Sequence, residues 1–366
     1  MGEKPKIAVI GLKGLPAFGG AASVGENIIN ILKDEYDFTV YSTSSHTSLR
    51  TGKYNGYKQI VLSSIKEKKI NTLYYYLKTT FIVFFKKYDL VHIHHSDSAF
   101  TIPFLKLRHR VLVTTHGAHN SGEISKWKRY KWFFKIQIKF FLKFADIVTC
   151  VSKVEKKWLR KKMNIHANYI PNGISENNLL FKKNNIIKYE LFYGAGRIMQ
   201  SKGCDLLINS LNNIKFDGNI GIAGDLVQGS KYQKFIYGIS TKLKINFLGM
   251  IKDKNKLYSE IKSSKLFIYP SLKEAMSMML LEVASLKVPI ICSNIKENRD
   301  IFTNEEVLFF DLNKKDDLSE KIVWALNNYE LMNAKAKKAY DKLVDNYTWE
   351  NIALKYKEVY NSKLQK

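Results

Sequence analysis

Short runs of apolar, mostly β-branched residues recur along the chain with longer helical-period segments between them. The first group is KIAVIGL (6–12), FTVYST (38–43), KQIVLS (58–63), DLVHIHH (89–95), VLVTTHG (111–117), DIVTCVS (146–152) and NYIPNG (168–173). Such alternation predicts parallel strands wound with helices and buried on both faces. After a polar stretch, SENNLLFKKNNIIK (175–188), the pattern restarts with ELFYGAG, NIGIAGD, INFLGM, LFIYPS, PIICSN and VLFFDL. The restart predicts two doubly wound α/β domains, over 1–174 and 175–346, joined near 174–188. The 366 residues are enough for two cores. Open parallel sheets bind ligands beyond the carboxyl ends of their strands. The residues expected there are polar: Gly14, Gly19, Gly20, Asp97, His116, Asn172, Arg197, Lys202, Asp225 and Glu274. Two such edges facing one another would form a cleft suited to a small molecule.

Composition narrows the partners. A formal charge of +26 and a pI near 9.6 call for an anionic partner: nucleic acid, an acidic lipid surface or phosphorylated small molecules. Many of the lysines also read as ordinary solvated surface. No stretch of about 18 apolar residues escapes interruption by lysine, and Met1–Lys6 runs straight into the first strand, so neither a span nor a secretion signal is expected. Cys150, Cys204 and Cys292 are scattered, without metal or redox spacing, as in the core of a protein from a reducing cytoplasm.

Two segments carry chemistry. YGAGRIMQSKGCDLLINSL (193–211) starts as a strand and ends as a helix, with Arg197, Lys202 and Gly203 between. A guanidinium and an ammonium beside a helix N-terminus suit a diphosphate, because charge-assisted bonds add to unpaired backbone N–H groups and the helix dipole. Two exposed loop cations are the plainer alternative. YPSLKEAMSMMLLEVASL (269–286) places Glu274 in a loop after a strand and Ser277 as the cap of a helix running to about Leu286, with Glu282 inside it. Each carboxylate can accept two hydrogen bonds from a vicinal diol, one holding sugar hydroxyls and the other ribose. A solvated acidic face is the alternative.

The Glu274/Glu282 pair with seven residues between, the Arg197…Lys202-Gly203 segment, PNGI at 171–174 and the strand order resemble the retaining family 4 glycosyltransferases of GT-B fold. The likeness covers nearly the whole chain. GLKGLPAFGG (11–20) is similar to bacterial members that build surface polysaccharide (capsule, O-antigen or lipopolysaccharide), and YTWENIALKYKEVY (347–360) resembles the family's closing helix, expected over 347–366 to cross back onto the first domain.

The resemblance implies two Rossmann-like domains and a nucleotide-sugar donor held mainly by the second. Arg197 and Lys202 would meet the diphosphate, Glu282 the ribose and Glu274 the transferred sugar. Gly19, Gly20 and Asn172 would also line the donor, as would the 275–277 loop, where the family's usual Gly-aromatic-Gly is replaced by Ala275, Met276 and Ser277. That departure restricts φ and leaves the sugar preference open. The implied catalytic group is His116, Arg197, Lys202 and Glu274, with Asp97, His116 and His119 on the acceptor side.

No metal or other cofactor is required, since cations and backbone donors can neutralise a departing diphosphate. HIHH (92–95) and HGAH (116–119) raise zinc as an alternative, but no cysteine or paired-carboxylate context accompanies them. A paired-acid hydrolase is disfavoured because the neighbouring cations have no task on a neutral glycan.

KWKRYKWFFKIQIKFFLK (126–143) holds seven basic, seven aromatic and no acidic residues. A helical wheel gathers Lys131, Lys135 and Lys139 opposite Phe133, Phe140, Phe141 and Phe144, and with Lys128 these lysines are the expected membrane-facing set. Packing of the aromatic face on the sheet is the alternative. NTLYYYLKTTFIVFFKK (71–87) has the same character. Together these features predict an enzyme at the inner face of the cytoplasmic membrane acting on a lipid-linked saccharide. The alternatives are another GT-B enzyme, such as a sugar-nucleotide epimerase or a retaining phosphorylase, and a nucleic-acid-binding protein, for which no recognisable module is present.

Overall fold

The computed structural model describes residues 3–17, 20–65, 68–120, 131–175, 186–226 and 230–364. The chain divides into two compact units, Met1–Gly173 with Trp349–Lys366, and Ile174–Thr348. In the first unit come β1 (Lys6–Lys13), α1 (Gly20–Leu32), β2 (Asp37–Thr43), β3 (Gly52–Tyr54), β4 (Tyr57–Leu62), α2 (Lys68–Phe84) and β5 (Leu90–His94). They are followed by α3 (Ile102–Lys106), β6 (Arg110–Thr115), α4 (Lys131–Phe141), β7 (Ile147–Cys150), α5 (Lys153–Trp158) and β8 (Asn168–Tyr169). The second unit holds β9 (Tyr189–Arg197), α6 (Cys204–Asn213), β10 (Asn219–Asp225), α7 (Lys231–Gly238), β11 (Lys244–Gly249), α8 (Lys254–Lys262) and β12 (Ser264–Tyr269). It continues with α9 (Met278–Ser285), β13 (Ile290–Ser293), α10 (Lys296–Ile301), β14 (Leu308–Phe310), α11 (Asp317–Asn327) and α12 (Tyr329–Asn346). Last is α13 (Trp349–Leu364).

The apolar runs become strands because both faces of each sheet are covered, so continuous hydrophobic segments such as Ile7–Leu12 have nothing to lose to water. The first sheet has eight strands in the order β3-β4-β2-β1-β5-β6-β7-β8. Its pairings are parallel except β3 with β4, a short hairpin closed at Asn55-Gly56. The second sheet has six strands ordered β11-β10-β9-β12-β13-β14, all parallel. In both, chain direction across the sheet reverses at one place: between β1 and β5 in the first, between β9 and β12 in the second. Crevices for ligands open at these switch points, off the carboxyl ends of the strands.

The C-terminal helix packs on the first unit, as the closing-helix expectation requires. Its Trp349, Tyr356 and Tyr360 are buried, the Tyr360 hydroxyl meets His92 Nδ1 at 2.9 Å, and Lys357 pairs with Glu35 at 2.6 Å. No helix among the described residues is long and apolar enough to cross a membrane. Cys150, Cys204 and Cys292 are free and buried, and burial pushes the Cys204 thiol up to about 12.

The 126–143 segment departs from its helical-wheel reading. Residues 121–130, including Lys128, lie outside the described residues, and α4 begins at Lys131. The core positions are Ile138 and Leu142, one turn apart, while Phe140, on the far side of the helix, is exposed with Ile136, Lys139 and Phe144. Phe141 is half-buried against the core, and Lys135 is half-buried as well. Aliphatic residues hold this helix to the sheet, and among its described aromatics Phe141 leans on the core while Phe140 and Phe144 face outward.

Candidate functional site

In the second unit the two chemical segments converge at the switch point. β9 ends at Arg197, whose side chain is exposed and has no ion-pair or hydrogen-bond partner among the described residues. A short 3-10 turn, Gln200–Lys202, then leads to Gly203, the N-cap of α6, at φ 69°. That left-handed conformation and a neighbouring carbonyl both demand glycine, since a Cβ at 203 would overlap the Pro270 carbonyl oxygen. The close approach stitches the β9 loop to the β12 loop. Leu272 N–H donates to the Ser201 carbonyl at 2.8 Å, and Ser271 Oγ donates to the same oxygen at 3.1 Å.

This stitching brings Lys202 to Glu274. Lys202 Nζ lies 2.6 Å from Glu274 Oε1, and the same carboxylate oxygen accepts from Tyr269 Oη at 2.5 Å and Ser271 Oγ at 2.6 Å. Burial, and then the Glu274 charge beside it, raise the Tyr269 phenol well above its ordinary value, so it stays protonated and donates. Ser277 Oγ in turn donates to Tyr269 Oη at 2.9 Å while accepting the Leu280 N–H at 3.3 Å as the cap of α9. A chain of donors thus runs from the first turn of α9 through Ser277 and Tyr269 to Glu274. Ala275, Met276 and Ser277 are absent from the residues with positive φ. The loop therefore follows a path open to L-residues, and replacement of glycine there brings no backbone strain.

Glu282, about one turn into the buried helix α9, is itself buried. Its partner is Lys254, the first residue of α8, with Nζ 2.5 Å from Glu282 Oε1. The unit therefore presents two buried carboxylates, each matched by a lysine whose ammonium stays partly in water, one between the starts of α6 and α9 and the other at the start of α8. Helix N-termini with adjacent cations bind phosphate oxygens, and charge-balanced carboxylates accept hydroxyl protons.

In the first unit the strand ends carry histidines. His94 Nδ1 and His116 Nε2 lie 3.2 Å apart, and burial drives the pKa of both far below the usual imidazole range. With both rings neutral, one nitrogen donates and the other accepts, so the two tautomers are tied together. His92 is fully committed to the interior, bonding Tyr360 and, at 2.7 Å, Thr114 Oγ1; burial lowers it to about 3. Gly11 of β1 passes so close to β5 that a Cβ would overlap the His94 carbonyl oxygen.

The turn after His116 is held by a residue outside the sequence-predicted set. Glu155 is completely buried and accepts the Gly117 N–H at 3.1 Å and the Ala118 N–H at 2.5 Å. Burial raises its carboxyl above the ordinary range against the opposing pull of His119 and these amides. Ser152 caps α5 by accepting the Glu155 N–H at 3.0 Å, so the pair forms a Ser-x-x-Glu start whose acid turns to the neighbouring loop. Among the other expected residues, Asp97 is exposed on the 3-10 turn Ser96–Thr101, and His119 sits 6.4 Å from the Trp158 ring. Asn172 is buried beyond β8, and Gly20 opens α1 at φ 61°. Gly19 lies outside the described residues.

Comparison with known proteins agrees with this layout. Residues 18–178 match the model of Glycosyltransferase Family 4, and residues 176–342 match that of Glycosyl transferases group 1. An Escherichia coli UDP-Gal:alpha-D-GlcNAc-diphosphoundecaprenol alpha-1,3-galactosyltransferase is 26% identical over 82% of this chain and 80% of its own. The Escherichia coli O-antigen biosynthesis glycosyltransferase WclY is 25% identical over 60% of this chain and 62% of its own. Among solved structures, sucrose-phosphate synthase from Thermosynechococcus elongatus superposes with a TM-score of 0.84 at 18% identity, covering 98% of this chain and 99% of the other. Anabaena HepE in complex with UDP-glucose gives 0.76 at 15% identity, covering 98% and 99%. Two adjoining family models that together run from residue 18 to residue 342, and a GT-B fold in the matching structures, establish that this chain belongs to the family 4, group 1 glycosyltransferases.

Proposed function

We propose that this nucleotide-sugar glycosyltransferase extends a lipid-linked saccharide during assembly of a bacterial surface polysaccharide, at the inner face of the cytoplasmic membrane. The observation that carries the donor half is the meeting of Lys202 and Glu274 between the starts of α6 and α9. Arg197, Lys202 and the two helix starts take the diphosphate. Glu274 takes hydroxyls of the transferred sugar, and Glu282, balanced by Lys254, takes the ribose. In the reaction the acceptor oxygen bonds the anomeric carbon as the bond from that carbon to the diphosphate breaks. The electron pair and the acceptor's hydroxyl proton leave with the nucleoside diphosphate. The developing negative charge falls on fixed cations and helix dipoles, which lowers the barrier without a resident metal ion. His116, oriented by His94 and by the turn that Glu155 holds, serves the reacting groups, with Asp97 and His119 on the acceptor side.

The acceptor half is supported by the activity of the E. coli relative, whose substrate is a diphosphoundecaprenol-linked sugar, and by the O-antigen role of WclY. Lys135 and Lys139 of α4 supply the attraction to anionic lipid, the Lys131 side chain lying outside those described. A panel of nucleotide sugars, scored by nucleoside-diphosphate release with and without membrane lipid extract, tests both halves. The expected result is release from one donor that rises when the extract is added. Release from none, or a rearranged nucleotide sugar as the product, overturns the reading.

A further inference from the structure

Helix α2 is built inside out. Its sheet-facing side buries Tyr75, Tyr76, Thr79, Thr80 and Val83, whereas its outward side carries Ile70, Leu73, Leu77 and Phe81, followed by Phe85 just beyond its end. The outward five are between 48% and 61% exposed. Their spacing of three, four, four and four residues sets them in one row along the helix, about 16 Å from Ile70 to Phe81 at 1.5 Å per residue. A helix on a water-bathed surface places such residues the other way round.

The row continues onto its neighbour through aromatic contacts. Phe81 and Phe85 are 5.0 Å apart, Phe85 and Phe84 5.2 Å, and Phe84 stacks on Phe104 of α3 at 4.1 Å. One turn past Phe104, Leu107 is 74% exposed. Ten of the twenty large apolar side chains exposed among the described residues lie in the stretch from Ile70 to Phe144, on α2, around α3 and on or just after α4. A cluster of that kind marks an interaction surface.

Its rim identifies the partner. Residues 68–88 contain no acid, while Lys78 flanks the row and Lys86 and Lys87 close its end. Arg108 lies 5.4 Å over the Phe84 ring. Apolar side chains on a convex ridge with ammonium and guanidinium groups at the edge match a bilayer interface, where acyl chains lie below a layer of anionic headgroups. A folded protein partner would need acidic groups to meet the same rim.

We propose that the α2–α3 ridge is the membrane-inserting surface of this enzyme, with Leu77, Phe81 and Phe85 entering the acyl boundary of an anionic phospholipid bilayer. This rests on the reading of the protein as a membrane-associated transferase and moves the main anchor from the α4 lysines to α2. The three native cysteines are buried, so a Phe81→Cys variant can be labelled selectively with an environment-sensitive fluorophore. Vesicles of phosphatidylglycerol and phosphatidylcholine with acyl-chain spin labels should blue-shift and quench that probe. A probe at Leu331→Cys, on the second unit, should stay in water.

The triple variant Leu77→Ser/Phe81→Ser/Phe85→Ser should lose at least about tenfold in vesicle partition. Its nucleoside-diphosphate release with a water-soluble acceptor should be unchanged. Flotation of the protein with a Phe81 probe that stays in water refutes the ridge but keeps the membrane reading, and so does full vesicle binding by the triple variant. No flotation at all refutes both. A concentration-dependent dimer that the triple variant abolishes, without vesicle binding, makes the ridge a contact between copies and overturns the proposal.

Discussion

Tyr269→Phe deletes one hydroxyl and leaves the ring, with its stacking 6.3 Å from Phe267, in place. That hydroxyl gives a 2.5 Å hydrogen bond to Glu274 Oε1 and receives one of 2.9 Å from Ser277. A hydrogen bond to an ionised acceptor contributes about 1.5–3 kcal/mol. Lys202 and Ser271 remain on the same oxygen, so the lower part of that range applies, about 2 kcal/mol. For a unit the size of Ile174–Thr348 this lowers the melting temperature by about 4–8 °C. Glu274 then loses the group that ties it to the start of α9, and kcat/KM should fall by about 10- to 100-fold through misorientation. Calorimetry and nucleoside-diphosphate release on the same preparation measure both effects. In a cycle with Ser277→Ala the two losses should be less than additive, because both variants break one donor chain. A variant that melts within about 1 °C of wild type with unchanged kcat/KM refutes the argument that this chain positions the acid.

Arg197→Ala and Lys202→Ala should each cost about 10²- to 10³-fold in turnover by removing charge from the departing diphosphate. Arg197→Ala should melt like wild type because its side chain is exposed, and near-normal rates in both variants refute their assignment. Gly203→Ala must either abandon φ 69° or push the Pro270 carbonyl away, a cost of about 2–3 kcal/mol visible in denaturant titration; an unchanged midpoint contradicts the close approach of the two loops. Acid should weaken the first unit before the second, because all eight histidines lie in it. The His92 pKa, lowered to about 3, makes its contribution full above pH 6.5 and lost as pH falls. That amounts to about 2 kcal/mol by pH 5, at 1.36 kcal/mol per pKa unit, with His94 and His116 adding in the same sense. Glu155, with its raised pKa, works in the opposite sense and offsets part of the loss. Hydrogen exchange at pH 7 and pH 5, each corrected for the intrinsic amide rate at that pH, should show protection falling more in β5 and β6 than in β9 and β12; an equal loss of protection refutes the assignment.

The doubly wound architecture was legible because buried parallel strands need uninterrupted apolar runs, and each quoted run became a strand at its place in the order. The cap at Ser277 and the helix behind it were legible from residue type and spacing alone. β3 escaped because its three residues carry no apolar pattern, although the Asn55-Gly56 turn beside it is a strong hairpin signal. Glu155 had a visible cue in its Ser-x-x-Glu spacing, but nothing in a local pattern says that the acid will reach across to the loop after β6. Lys254 had no cue at all: it is one of 59 basic residues, and only the sheet order carries the start of α8 to Glu282. The outward row on α2 was hidden for a related reason. Periodicity shows that a helix has two faces and leaves open which one meets the sheet, and here the tyrosine and threonine side does.

The central claim is tested most directly by a crystal structure with uridine, guanosine or thymidine diphosphate bound. The account predicts the diphosphate within hydrogen-bond reach of Arg197 and Lys202 at the starts of α6 and α9, with the ribose hydroxyls on Glu282. A nucleotide lodged elsewhere, with Lys202 and Glu274 still closed on each other and Arg197 turned to solvent, would contradict it.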